Sequence, residues 1–185
     1  MPRRVPFRKG CKGPESNYRL SEWQGAILGV QLTRLDRQTT LRHKNSRLLD
    51  ALLGDIEGIT PQHLDERCTR NGHYAYIFHY NKAHFGGAST RRFIEALNAE
   101  GILTRDSYPL VHALDLFQSG TYRRRLCPEQ AGQDHIFLRQ PFPNSSMGAW
   151  ETVWIPQYAL LGDEEDMHQI AFAIKKLQRS ASELK

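Results

Sequence analysis

The chain has 185 residues, 39% of them hydrophobic, so it is long enough for one domain, or one generous subdomain of something larger, with a real core. Its cysteines, Cys11, Cys68 and Cys127, are odd in number and far apart, which excludes a disulfide framework or paired-cysteine zinc site and points to a reducing, cytoplasmic compartment. The formal net charge of +5 gathers in Arg3, Arg4, Arg8, Lys9 and Lys12 and again in Arg123, Arg124 and Arg125; no apolar signal region and no run of about eighteen apolar residues accompanies it.

Residues 1–16 read as a basic, disordered tail. Ser21 and Gln24 then have the spacing of a capping box, in which a serine hydroxyl and a glutamine amide satisfy the free N–H groups of a helix start. Trp23, Ile27, Val30, Leu35, Leu41, Leu48, Leu49 and Leu52 recur at helical spacing as far as Gly54, a suitable C-cap. This predicts a helix within residues 17–54, longer than is usual in globular proteins. Either it spans two subdomains or a subunit interface, or it is the long core helix of one domain.

A smaller α+β domain is expected over residues 55–185. Gly58–Pro61 reads as a short strand, residues 62–72 as a loop, and the aromatic-rich run from Tyr74 to Tyr80 as a strand with two different faces. Ser89 caps a second helix with Phe93, Ile94, Ala96 and Leu97 on its buried face, and Gly101 ends it before a short strand at Ile102–Thr104. From about Asp106 to Trp150, Pro109, Pro128, Pro141 and Pro143 punctuate a region read mostly as loop. Thr152–Pro156 is a strand. Asp163–Asp166 opens a last helix whose acidic start and Lys175–Lys176 end complement the helix dipole.

The chemistry in this pattern is sparse. Among eight histidines, His73, His79 and His84 are closest in sequence, but His73 and His79 on one strand face are about 20 Å apart, too far for one zinc ion. They read as structural histidines, and no metal site is expected. There is no glycine-rich phosphate loop, nucleophile elbow or telling carboxylate pair, so no catalytic residue is assigned. Asn17 and Arg19, just before a helix N-terminus, can hold an anion together with the free N–H groups; a turn asparagine and a solvated arginine explain them equally. The arginine clusters lack the aromatic interleaving of a base-stacking surface, which leaves a nucleic-acid binder as a remote alternative.

The run Asn17-Tyr18-Arg19-Leu20-Ser21-Glu22-Trp23-Gln24 resembles a segment of the DegT/DnrJ/StrS family of sugar aminotransferases. Tyr74–Phe78 with Phe85-Gly86-Gly87, Phe93–Leu97 with Glu100-Gly101-Ile102, Tyr108–Leu110 through Phe117, and Trp154–Pro156 with Leu160-Leu161-Gly162 resemble the family's C-terminal half in order and spacing. The tyrosine-rich strand and Phe-Gly-Gly turn are most similar to members that aminate keto-inositols.

The resemblance implies the C-terminal small domain of a fold-type I pyridoxal-phosphate transferase: a long linking helix plus a small, mostly antiparallel sheet flanked by helices. It implies homodimers with interfacial active sites, and transamination of a keto-sugar or keto-cyclitol from glutamine or glutamate. Asn17 then matches the asparagine that reaches the cofactor phosphate of the partner subunit. Arg19 matches a residue near the cofactor, and Tyr108 and His112 match residues near the sugar. The family's Schiff-base lysine lies ahead of the matched segment, and Lys9 and Lys12 lack its context. Glu15 stands in place of a glycine, and Gly25 in place of an alanine at a cost of about 1 kcal/mol to the helix. The expectation is a C-terminal portion that binds no cofactor and is inactive alone, or, alternatively, a non-catalytic module that docks on an intact homologue. Ile27, Val30 and Leu35 are expected to face water.

Overall fold

The computed structural model describes residues 19–114 and 141–184. It comprises two compact units, one of Met1–Leu20 with Tyr108–Phe142 and one of Ser21–Ser107 with Pro143–Lys185.

The larger unit starts with helix α1 (Glu22–Gly54), opened by the capping box. The Gln24 N–H donates to Ser21 Oγ at 3.4 Å, and the Ser21 N–H donates to Gln24 Oε1 at 2.9 Å. Only the second half of its apolar periodicity finds cover. Leu49 and Leu53 are fully buried, whereas Trp23, Ile27, Val30 and Leu35 are exposed, Trp23 by 82%.

Strands β1 (Ile59–Pro61), β2 (Ala75–Tyr80), β3 (Arg105–Asp106) and β4 (Thr152–Pro156) form an antiparallel sheet in the order β1-β2-β4-β3. Ile59 faces Tyr80, and Trp154 lies between Ile77 and Arg105. The pleat sorts side chains strictly: Tyr76, Phe78, Tyr80, Val153 and Ile155 are buried, while Ile77, His79, Thr152 and Trp154 on the other face are half-buried.

Helices α2 (Thr90–Ala99) and α4 (Glu164–Arg179) complete the core with α1. Ser89 Oγ accepts from Arg92 N, and Asp163 forms a reciprocal box with Asp166 at the head of α4. Between sheet and helices lies an aromatic cluster. The Phe93 ring stacks on Tyr80 at 4.3 Å and meets Phe85 at 5.1 Å and Phe78 at 6.5 Å edge-on. The Tyr80 hydroxyl donates to the Ala88 carbonyl at 3.0 Å. Gly86, at φ +66, turns the chain so closely past the C-terminal segment that a β-carbon there would lie 2.5 Å from the Ala181 carbonyl oxygen.

Three expectations need correction. Gly54 is still helical, and Asp55, at φ −82, is the C-cap of α1. Ile102–Thr104 is not a strand, because the Asn98 side chain takes both backbone groups of Thr104, accepting its N–H at 2.8 Å and donating to its carbonyl at 3.3 Å. Ladder pairing begins one residue later, in β3. The region read as loop up to Trp150 also contains helix α3 (Pro143–Trp150). Pro143 opens it, and a proline at the first helical position starts a helix, since its fixed φ suits the turn and its missing N–H would have had no partner.

In the smaller unit, Val111–Ala113 forms a 3-10 turn. Among the described residues, no helix is long and apolar enough to cross a membrane.

Candidate functional site

The expected site residues distribute unevenly. Asn17 lies outside the described residues, as do Glu15, Lys9, Lys12, Cys11, Cys127 and Arg123–Arg125. Arg19 and Tyr108 are exposed members of the smaller unit. His112, half-buried on the 3-10 turn, sets its ring 4.7 Å from that of Phe142 in the same unit. Tyr108 and His112 therefore share one short segment, four residues apart.

Among the depressions of the larger unit, two lie at the sheet, and no motif announced them. A cleft of about 800 Å³ lies among the end of β2, the start of α2 and the α3–β4 junction. Lys82 and Arg91 bring positive charge to it, and Glu95, Asp106 and Glu151 negative charge. The Trp150 indole, 64% exposed, borders it, with its carbonyl accepting from Thr90 Oγ1 at 2.7 Å. Arg91 pairs with Glu95 at 3.2 Å, and His79 Nε2 meets Glu151 Oε2 at 2.9 Å. On the sheet's open face, Pro61, Ile77, Met147 and Trp154 line an apolar hollow of about 480 Å³ with His79 and Ser107.

A third polar group is internal. Arg42, 6% exposed on α1, donates from Nε to the Gly72 carbonyl at 3.1 Å, from Nη1 to Gln157 Oε1 at 2.9 Å and from Nη2 to Thr39 Oγ1 at 3.2 Å. Nearby, the Tyr76 hydroxyl donates to Asp50 Oδ1 at 2.8 Å. Burial, helped by the Asp50 charge, pushes the Tyr76 phenol far above its ordinary range. Asn45, 1% exposed, donates to the carbonyls of Leu160 and Gly162 at 3.0 and 2.9 Å. A polar run on the covered side of a helix was the available signal, since buried polar groups must find partners.

Fitting pyridoxal phosphate requires an amine that can form an imine, which proteins activate by desolvation or a neighbouring cation. Among the described residues, Lys44, Lys82 and Lys176 are exposed and Lys175 is half-buried. Lys44 pairs with Glu164 at 2.6 Å and Lys176 with Glu100 at 2.7 Å. None is enclosed with a stacking aromatic and a carboxylate, so the described residues do not fit the cofactor.

Comparison with known proteins is consistent. Residues 7–175 match the model of the DegT/DnrJ/EryC1/StrS aminotransferase family. A relative from Streptoalloteichus tenebrarius, L-glutamine:2-deoxy-scyllo-inosose aminotransferase, is 34% identical over 92% of this chain and 40% of its own length. The crystal structure of 3-amino-5-hydroxybenzoic acid synthase superposes with a TM-score of 0.68 at 27% identity, covering 93% of this chain and 42% of that one. A protein from Streptococcus pneumoniae described as a sugar aminotransferase, in its PLP form, shares the fold at a TM-score of 0.60 and 17% identity, over 90% of this chain and 37% of its own. The chain thus spans about 40% of the length of the curated relative it matches. With the long helix, the small antiparallel sheet and the family match in agreement, the chain belongs to the DegT/DnrJ/EryC1/StrS aminotransferase family.

Proposed function

We propose that this sequence supplies the C-terminal, small-domain part of a pyridoxal-phosphate-dependent aminotransferase that aminates a keto-cyclitol, with glutamine as amino donor. The observation that carries the reading is the 34% identity to an L-glutamine:2-deoxy-scyllo-inosose aminotransferase over nearly the whole chain. Keto-sugars are the wider substrate class. By itself the chain is expected to hold no cofactor and not to transaminate; among its described lysines, none is enclosed as a cofactor-holding amine would be.

Within the complete enzyme, Asn17 binds the cofactor phosphate of a partner subunit in a homodimer, and Arg19 stands beside it. Tyr108 and His112 contact the keto substrate, with the ring of Phe142 fixing His112 at 4.7 Å. The enzyme works in the cytoplasm. Neither a separate docking module nor a nucleic-acid binder has support, since the comparisons return aminating enzymes.

The purified chain, mixed with pyridoxal phosphate, is expected to show no absorbance near about 420 nm beyond a surface-lysine control. Borohydride should trap no stoichiometric adduct. A stoichiometric adduct at one lysine overturns the claim that the chain alone holds no cofactor.

A further inference from the structure

Three anomalies meet where the segment between β1 and β2 crosses α1. His43 Nδ1 and His73 Nε2 are buried side-chain atoms without a hydrogen-bond partner among the described residues. Their rings lie 6.5 Å apart, tilted by 37°. His73 is also the one described non-glycine residue with positive φ, at 47°, a conformation held only where surrounding contacts impose it. Unpaired buried polar atoms are rare enough that two on neighbouring rings call for a reason.

From these contacts we propose that His73, packed on His43, forms an acid-released latch, which holds the segment 62–73 on α1 while the His73 ring is neutral and lets it go when that ring takes up a proton. Other attachments of the segment are few. Gly72 O accepts from Arg42, and Gln62 N donates to Ile77 O at 3.0 Å. Arg70 reaches Asp36 Oδ1 at 2.7 Å, Asp36 O at 2.6 Å and Thr40 Oγ1 at 3.1 Å, both ion-pair partners being solvent-exposed. Within the segment, Asn71 Oδ1 accepts the His73 N–H at 3.0 Å, and Asp65 accepts from Arg67.

The charges around the rings set the sign. From α1 come Arg42, His43 and Asp50; from the segment come His63 and Asn71; from β2 comes Tyr76. Asp50, the single carboxylate in that set, already accepts from Tyr76 and lies 3.9 Å from Arg47 Nη1. A proton on the His73 imidazole therefore adds a part-buried cation beside Arg42 and leaves an N–H with no acceptor. A divalent metal between the rings is disfavoured by the same guanidinium, and no third ligand joins them among the described residues. Burial, reinforced by His43 and Arg42 and only partly offset by the Asp50 charge, holds His73 below the ordinary histidine value. With a lowered folded-state value, the neutral ring's contribution is complete above about pH 6.5 and is lost as pH falls below it. Opening carries His73 into water, relieves its backbone and uncovers α1 between Asp36 and Ser46.

Hydrogen exchange of the whole chain, read by mass spectrometry at pH 7.5 and 5.5 and corrected for intrinsic chemistry, tests this. Peptides from residues 63–73 should open more often at the lower pH, by up to about tenfold per pH unit for each proton taken up. Peptides of β2 and α4 should not change. His43→Gln and His73→Asn, the latter tolerant of positive φ, should flatten the response of the segment. The proposal fails if the segment and core respond equally, if neither responds, or if both variants keep the full pH response. Should a variant not fold, imidazole NMR titration of the wild type decides: His73 titrating at or above the ordinary value overturns the latch.

Discussion

Replacing Phe93 with alanine removes the centre of the aromatic cluster. The side chain is fully buried, stacked on Tyr80 at 4.3 Å and edge-on to Phe85 at 5.1 Å. Truncating a buried phenylalanine costs about 3–5 kcal/mol through lost transfer energy and the residual cavity. Aromatic pairs contribute about 0.5–1.5 kcal/mol beyond burial, and the pairs with Tyr80, Phe85 and Phe78 are all lost, which places Phe93→Ala in the upper half of that range, about 4–5 kcal/mol. A domain of this size has roughly 5–15 kcal/mol of stability in all, so the variant should lose from about a quarter to nearly all of it at 25 °C. Urea unfolding followed by circular dichroism measures the loss, with Phe172→Ala as control. Phe172 is 65% exposed on α4, and its truncation should change stability by no more than about 0.5 kcal/mol. A loss below about 1.5 kcal/mol for Phe93→Ala, or equal losses at the two positions, would refute the placement of the core between sheet and helices.

Gly86→Ala should cost about 2–3 kcal/mol by thermal unfolding, because positive φ and the Ala181 carbonyl 2.5 Å from the new β-carbon act together. Asn45→Leu should cost about 2–4 kcal/mol in urea titration, since it leaves the Leu160 and Gly162 carbonyls without their donor. At alkaline pH, burial raises the phenol of Tyr80 to about 12 and that of Tyr76 further. A raised folded-state value means that their contribution is complete below about pH 10 and is lost as pH rises through the folded value. Absorbance at high pH should accordingly show two tyrosines that ionise only with unfolding; their ionisation near pH 10 in the folded chain would contradict this burial.

Much of the fold was legible because local chemistry and tertiary packing agree. The Ser21/Gln24 box, the Ser89 cap and the acidic head of α4 lie at their helix starts, and alternation in β2 matches its buried face. The readings failed where a side chain or a proline acts nonlocally or against habit. Asn98 takes the backbone of Thr104 from the sheet, and Pro143 starts a helix where prolines suggested loop. Periodicity in α1 reported which residues are apolar but not which would be covered, as Trp23 and Leu49, at 82% and 0% exposure, make plain. Site residues were least legible, since Tyr108 and His112 came from resemblance alone, and for Asn17 and Arg19 a turn and a solvated side chain explained the local pattern as well as an anion site did. Contacts such as His43 with His73, thirty residues apart, follow from the fold and leave no local pattern.

The central claim is that this chain supplies the small-domain part of a keto-cyclitol aminotransferase. It is tested most directly by a chimera in which residues 17–185 replace the matching part of the Streptoalloteichus tenebrarius relative. The account predicts glutamine-dependent amination of 2-deoxy-scyllo-inosose, with kcat/KM lowered at least about tenfold by Asn17→Ala. A chimera that folds and holds pyridoxal phosphate yet aminates no keto-cyclitol would contradict it.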